Sequence, residues 1–589
     1  MGIWDLFALL GGLAFFLYGM NVMSETLEKM AGSKLKTILA SLTSNKFKGF
    51  LLGLMVTAII QSSSATTVMV VGFVNSGIMT LGQSVGVILG ANLGTAVTSW
   101  LLSLTGLEGE SFIIQIFKPT NFTPVLAFVA IIIIMFTKKD RHKDIAVILI
   151  GFAVLMFGME GMSSAVQPLT ESEGFKKVLV LFSNPVMGVV VGTVFTAIVQ
   201  SSSASVGILQ ALTLTGSVTY KTAIPIVMGQ NIGTCVSAMI SSIGASKNAK
   251  RAAVIHLSFN LISAVVWCTV YSIANMLIGF SFVNEAASPL GIAVIHTVFK
   301  ILALLLIVPF TKYLEKLACK IVKDSPEDIE RDEEFSTLDD RILLTPSVAV
   351  EQCRILTVKM ADITKNAINM AVSLANNYDD ALAKEIHGAE KKVDEYEDRL
   401  GSYLVKVSEK TLNSDDSQSV SMLLHCIGDF ERISDHARNI AEVSKELDEK
   451  NIIFSDKAKA EISVICNAVT DVLDLTIKAF ANGDLNAAHR VEPLEEVIDK
   501  LNAKIRNRHI NRLQSGDCTI QLGFVLADLL TNLERVSDHC SNIAGCIIDM
   551  AHGNLNLHES LRETRLEDTE YKTLYSEYVD KYRIPSWSK

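Results

Sequence analysis

From residue 3 to residue 310, long apolar runs alternate with short polar loops, and from there to the C-terminus the pattern changes to charged, amphipathic periodicity. An α-helix needs about twenty apolar residues to cross the roughly 30 Å of hydrocarbon in a bilayer, and several runs in the first region reach that length. The second region, from Pro346 to His552, reads as consecutive long helices with few prolines or glycines. The expected fold class is all-α, a polytopic membrane protein followed by a soluble helical bundle.

Two of the apolar runs contain polar residues that hydrocarbon does not tolerate. Gln61-Ser62-Ser63-Ser64-Ala65 lies inside Gly49–Gly77, and the same five letters return as Gln200-Ser201-Ser202-Ser203-Ala204. A bilayer offers nothing to hydrogen-bond, so such groups survive at membrane depth only where protein or a watery cavity satisfies them. Gly49–Gly77 is also too long for one simple span, which predicts a re-entrant hairpin or a broken helix. The next run, Thr80–Leu104, carries Gly90-Ala91-Asn92-Leu93-Gly94-Thr95, whose glycines predict a second interruption that frees backbone groups for a ligand.

The interruptions belong to an internal duplication. An offset of 139 residues maps Gly19 onto Gly158, Asn45 onto Asn184, Gln61 onto Gln200, and Gly90–Thr95 onto Gly229-Gln230-Asn231-Ile232-Gly233-Thr234, without a gap. Repeats in an apolar chain point to a transporter. The basic loops Lys34–Lys48, Lys138–Lys143 and Lys247–Arg251 alternate with loops Gly106–Asn121, Gln167–Ser183 and Phe280–Ser288, which carry as much acid as base or more. Positive loops stay on the cytoplasmic side, so residues 3–32 run inward and their copy, 144–166, outward. The two repeats are expected to be inverted.

Charge separates the two regions further. Residues 1–310 carry 17 Lys and Arg against 11 Asp and Glu, and the rest 35 against 51, out of chain totals of 52 and 62. An acidic soluble part argues against a nucleic-acid surface, which needs clustered positive charge. The nine cysteines show no metal-ligand spacing and read as free thiols in a reducing compartment. The N-terminus lacks the basic start and small-residue cleavage site of a secretory signal.

The candidate chemistry follows from residue type. Hydroxyl, amide and freed carbonyl oxygens are hard ligands suited to Na⁺, whereas Ser O–H, Gln N–H₂ and helix-terminal N–H groups suit an oxyanion. No Lys or Arg lies in Gly49–Gly77, in its copy Gly188–Gly216 or in Thr80–Leu104, so the charge balancing an anion is expected from a co-bound cation. The candidate substrate and sodium residues are Gln61, Ser62, Ser63, Ser64, Asn92 and Thr95 with their copies Gln200, Ser201, Ser202, Ser203, Asn231 and Thr234. Packing of small residues between membrane helices is the plainer reading of serine and glycine; two copies at matched positions favour a site. No phosphate-binding loop for ATP, catalytic triad or cofactor fingerprint is present, so no enzyme is expected.

The soluble region is duplicated too. Asp429–Ala441, with Glu431-Arg432-Ile433-Ser434-Asp435-His436, matches Asn532–Ala544 at an offset of 103, and the acidic pairs Glu390/Asp394 and Glu495/Asp499 lie upstream. Acids at i and i+4 share a helix face. With Arg432 and Arg535 they form either a salt-bridged surface or, together with Glu431/Asp435 and Glu534/Asp538, oxygen ligands for metal ions. His436 and His539 beside them read as polar surface.

These motifs resemble a known family. The duplicated Gln-Ser-Ser-Ser-Ala with its Gly-x-Asn-[Leu/Ile]-Gly-Thr companion resembles the sodium/phosphate cotransporter type II family over about residues 5–310, and the duplicated Glu-Arg-[Ile/Val]-Ser-Asp-His resembles the PhoU phosphate-regulatory domain over about 345–555. The resemblance implies Na⁺-coupled movement of inorganic phosphate across a bacterial cytoplasmic membrane, the two serine stretches meeting at the site, and metal ions at the PhoU-like acids. Ala65 and Ala204 depart from it, since animal relatives favour Thr there, which leaves the ion stoichiometry open. The expected layout is a transport domain over 1–311 (repeats 5–137 and 144–280, an extra span 289–311), a linker 312–344, a cytoplasmic PhoU-like domain 345–555 and a tail 556–589. Phosphate, sodium and the lipid bilayer are the expected partners, with room for a homodimer and a cytoplasmic regulatory partner. Phosphate export, or sensing without transport, are the alternatives.

Overall fold

The computed structural model describes residues 3–40, 46–106, 115, 118–168, 181–323, 335, 337–375, 378–552 and 569–585. Most of the outer loops expected at 106–121 and 167–183, the acidic linker around Asp324–Glu327 and the start of the tail lie outside these residues. The described chain is helical, with a single isolated bridge between Thr219 and Ala286. It divides into two compact units, Met1–Val348 and Ala349–Lys589.

The first unit opens with α1 (Ile3–Ala40), followed by α2 (Lys46–Ile60), α3 (Ser63–Asn75), α4 (Leu81–Ser103) and α5 (Pro119–Phe136). The second series is α6 (Asp140–Val166), α7 (Pro185–Val199), α8 (Ser202–Thr213), α9 (Tyr220–Gly233), α10 (Cys235–Ser241) and α11 (Lys247–Ile278), and α12 (Pro289–Ile307) and α13 (Thr311–Ile321) close the unit. Among the described residues, six helical stretches are long and apolar enough to cross a membrane: Ile3–Met30, Leu81–Gly106, Asp140–Val166, Tyr220–Ser241, Lys247–Ile278 and Pro289–Ile321.

Glycine decides how closely these helices approach. A Cβ on Gly12 would lie 3.0 Å from Gly158 O, and one on Gly19 would lie 2.5 Å from Gly151 O. Contact that runs forward along α1 therefore runs backward along α6, and the two helices are antiparallel. Gly12 and Gly19 are the counterparts of Gly151 and Gly158, so each glycine meets the copy of the other. Phe16 and Met159, both fully buried, fill the same seam.

The expected interruption at Gly90–Thr95 does not occur, because α4 runs unbroken through it. Its glycines serve packing instead. A Cβ on Gly86, Gly90 or Gly94 would lie 2.4, 1.9 or 2.7 Å from the carbonyl oxygens of Lys46, Phe50 and Leu54 on α2, and one on Gly53 would lie 2.0 Å from Val87 O. This is the small-residue seam by which membrane helices bring backbones together. The second copy repeats it between α7 and α9, where a Cβ on Gly229 would lie 2.0 Å from Val189 O. There α9 gives way to α10 at Thr234, whose φ of −57° and ψ of −29° keep the backbone helical.

A one-turn 3₁₀ helix, Asp340–Leu344, ends the unit against α3. The Asp339 carboxylate accepts from Asn75 Nδ2, and Arg341 Nη1 pairs with Asp339 at 2.8 Å while its Nη2 donates to Ile243 O at 3.1 Å.

The second unit is a bundle of α14 (Pro346–Leu374), α15 (Asp380–Ser408) and α16 (Ser414–Glu449), then α17 (Asp456–Asn482), the short α18 (Leu485–His489), α19 (Val491–Gln514) and α20 (Ile520–His552). The duplication thus consists of three long helices per copy. Glu461, fully buried on α17, takes Arg508 at 3.0 Å and Arg512 at 2.9 Å from α19. Part of the expected tail is a further helix, α21 (Thr569–Lys581), held by Tyr571 on Glu496 at 2.6 Å and by Lys581 on Asp471 at 2.6 Å.

Candidate functional site

Each serine stretch sits at a helix break. α2 ends at Ile60, and Gln61 adopts a left-handed φ of 61° before α3 begins; α7 ends at Val199, and Gln200 has a φ of 57° before α8. A non-glycine residue there costs on the order of 1–3 kcal/mol and is sustained by its surroundings. Ser62 and Ser201 are the N-caps, their hydroxyls accepting from Ala65 N and Ala204 N at 3.2 Å. Half-helices of 15 and 13 residues rise only about 22 and 20 Å, so neither crosses the hydrocarbon alone.

The two breaks meet. Ser63 Oγ lies 3.3 Å from Ser202 Oγ, Ser64 donates to Gln200 O at 3.2 Å, and Ser203 donates to Gln61 O at 3.4 Å. These contacts are reciprocal under the 139-residue offset, so a local two-fold axis passes between Ser63 and Ser202. Thr57 bonds Thr66 at 3.0 Å, as its copy Thr196 bonds Ser205 at 2.7 Å. The N-termini of α3 and α8 converge on this point, bringing N–H groups and positive dipole ends together. Gln61 is 8% exposed, its Nε2 donates to Ala58 O, and its Oε1 is buried without a partner. A buried oxygen without a partner thus lies beside hydroxyls and helix N-termini, so acceptor and donor groups are gathered at one place.

Asn92, Thr95, Asn231 and Thr234 sit elsewhere in the packing. Thr95 and Thr234 donate to carbonyls one turn back, Ala91 O at 3.3 Å and Gln230 O at 2.9 Å. Asn231 Nδ2 donates to Val227 O at 2.8 Å. Asn92 Nδ2 donates to Asn260 Oδ1 on α11 at 2.7 Å, and both oxygens of Asn92 receive Lys300 Nζ of α12, at 2.5 Å to O and 2.8 Å to Oδ1. A lysine side chain therefore does reach the second polar segment, from outside both repeats. The signal for Lys300 was present in the sequence as the one charged residue of the run Pro289–Ile307, since an ionisable group in an apolar helix marks function by default. Asn260 had no such signal.

In the second unit the predicted acids gather in two unequal sets. Arg438 binds Glu390, which is 4% exposed, and approaches Asp435 at 3.8 Å; Arg432 lies 3.4 Å from Glu431. Burial, with Glu390 and Asp435 beside it, raises the Asp394 carboxyl above its ordinary range, and burial with Asp435 does the same for Glu431. In the other set, oxygens of Glu495, Asp499 and Asp538 lie within 4.8 Å of one another. Glu534 instead accepts from Asn502 Nδ2. The counterpart of Arg438 there is Ser541, which donates to Glu492. The donor set around Glu495 fits a divalent cation, with Arg535 3.1 Å from Asp538 as the competing partner. The set around Glu390 fits less well, because a guanidinium already occupies its centre.

His436 and His539 are not surface residues. Their rings lie 5.8 Å apart, tilted by 31° to each other, between α16 and α20, His436 Nδ1 bonding Asn532 Oδ1 and His539 Nδ1 bonding Asp429 Oδ1, both at 2.8 Å. Asp429 and Asn532 are themselves counterparts, so the histidines clasp the two copies across a second local two-fold axis.

Comparisons with known proteins divide the chain in the same way. Residues 15–164 and 154–290 match the model of the Na⁺/Pi-cotransporter family, and residues 357–444 and 462–547 match that of the PhoU domain. A Salmonella typhimurium protein, YjbB, named for inorganic phosphate export, is 24% identical over 560 residues, 92% of this chain and 97% of its own. The human sodium-dependent phosphate transport protein 2B is 30% identical over 145 residues, 24% of this chain and 21% of its own. Among solved structures, PhoU from Pseudomonas aeruginosa matches 35% of this chain and 97% of its own at 21% identity and a TM-score of 0.33.

Proposed function

The chain belongs to the Na⁺/Pi-cotransporter family through residues 15–290 and carries a PhoU domain over residues 357–547, and on that premise we propose that it is a secondary carrier coupling Na⁺ to the movement of inorganic phosphate. The observation that carries this reading is the reciprocal contact of Ser63 with Ser202 between two converging helix N-termini. Hydroxyls and exposed N–H groups receive the phosphate oxygens. The buried Gln61 Oε1 and the carbonyls of Gln61 and Gln200 offer hard oxygens to Na⁺. A cation and an anion bound side by side reduce each other's cost in a medium of low dielectric. The antiparallel seam of α1 and α6 supports inverted repeats, the arrangement that lets a carrier open alternately to either side. The second unit is read as a cytoplasmic regulatory domain.

³²P-phosphate uptake into proteoliposomes tests the proposal. An inward Na⁺ gradient is expected to drive uptake and Gln200→Ala to abolish it; uptake indifferent to Na⁺, or full activity in the variant, would sink the reading. Net export is a second reading, favoured by the name of a relative that matches 92% of the chain. It predicts that cells loaded with ³²P-phosphate lose it faster when the chain is expressed.

A further inference from the structure

Lys300 is a lysine buried in an apolar helix, and among the described residues its side-chain nitrogen meets oxygens of one residue only. It is 3% exposed, and among the described residues no carboxylate lies within ion-pair distance of it. Its ammonium is held by two oxygens of one residue, Asn92 O at 2.5 Å and Asn92 Oδ1 at 2.8 Å. A backbone carbonyl and a side-chain carbonyl converging on one positive centre form a ligand pair of the kind that Na⁺ takes. Asn92 is in turn oriented by Asn260, whose Nδ2 donates to His256 O at 3.0 Å and reaches Cys235 Sγ at 3.3 Å, next to Thr234 of the second repeat. His256 and His296, buried nearby, each keep an Nδ1 without a partner.

The two repeats differ at this place. Asn231, the counterpart of Asn92, has no lysine on it: its Nδ2 turns back to Val227 O and its carbonyl faces the Cys235 thiol at 3.6 Å. Lys300 lies outside the duplicated segments, on the added helix α12, so the second repeat has nothing to supply in its place. An ionisable side chain at this depth in an apolar helix marks a function by default. Here it would help to balance an anion brought into the same unit.

We propose that the Lys300 ammonium is a tethered cation, fixed on the oxygens of Asn92 where a transported Na⁺ would otherwise bind, so that the carrier moves one Na⁺ fewer with each phosphate than it would without the lysine. This rests on the reading of the chain as a Na⁺-coupled phosphate carrier, which it deepens. Lys300 is then a residue that sets ion stoichiometry rather than one that touches phosphate.

The experiment follows ²²Na⁺ and ³²P-phosphate flux together in proteoliposomes of the full chain, comparing the wild type with Lys300→Ala and Lys300→Arg. Lys300→Arg keeps the charge and is expected to keep the wild-type ratio, whereas Lys300→Ala is expected to carry one more Na⁺ per phosphate. A Lys300→Ala chain that transports at the wild-type ratio overturns the proposal. If that variant carries no phosphate, ²²Na⁺ binding to the purified protein decides: one additional bound Na⁺ upholds the proposal, and an unchanged count overturns it. Lys300→Ser, read by the same two measurements, replaces the alanine variant if the latter does not fold. A wild-type chain that moves phosphate without Na⁺ overturns the coupling reading itself, a separate outcome visible before any variant is made.

Discussion

Gln61 and Gln200 occupy left-handed backbone that glycine would adopt at less cost, and each is followed by a serine N-cap. The motif was legible because four uncharged polar residues in an apolar run have no bland partner in lipid, and its doubling tied the copies together. The pairing of Ser63 with Ser202 was legible only as an expectation of proximity, since sequence carries no distances. Lys300 was missed because it lies 208 residues from Asn92 and outside the repeat that guided the reading. In the second unit, Asp394 allows a test of its raised carboxyl. An acid with a raised midpoint holds its proton more firmly in the fold than in the open chain, so stability falls as pH rises above the ordinary 3.8 and returns as pH falls. Asp394→Asn is expected to raise the melting temperature at neutral pH and to flatten its fall as pH rises above about 4, measured with chelator present. A variant with unchanged slope would show that its neighbours do not press on this carboxyl.

At the scale of helices, the glycines of Gly-x-Asn-x-Gly-Thr were read as points of unwinding and turned out to be points of contact. One glycine cannot distinguish the two roles. The recurrence every four residues, Gly86, Gly90 and Gly94, places all three on one face and is the pattern of a packed seam. A methyl group at Gly90 would meet the Phe50 carbonyl at 1.9 Å, whereas one at Gly11 would meet nothing within 4 Å. Gly90→Ala is therefore expected to cost about 3 kcal/mol or more, seen as a lowered unfolding temperature in detergent, and Gly11→Ala to leave it unchanged. The histidines show the converse error. His436 and His539 looked like surface because the helical pattern gives a face but not what covers it, and what covers each is the other copy.

For the molecule as a whole, the change of hydropathy and charge near residue 310 separated two bodies in the sequence, and the structure divides the chain at Val348. The loop charges also predict an orientation that is open to test. Cysteines introduced at positions 110 and 248 are expected to react with an impermeant maleimide from opposite faces of the membrane; labelling of both from one face would show the topology to be wrong. The seams within the first unit have a mechanical meaning as well. Backbones that meet through glycine at carbonyl distance leave no slack for sliding, so α2 with α4, α7 with α9 and α1 with α6 each behave as a stiff beam. Any rearrangement has to bend between the beams, and the sharpest joints available are the single residues Gln61 and Gln200. The hinge pins are thus neighbours in the chain of the hydroxyls proposed to line the site, and turning a beam turns those hydroxyls with it.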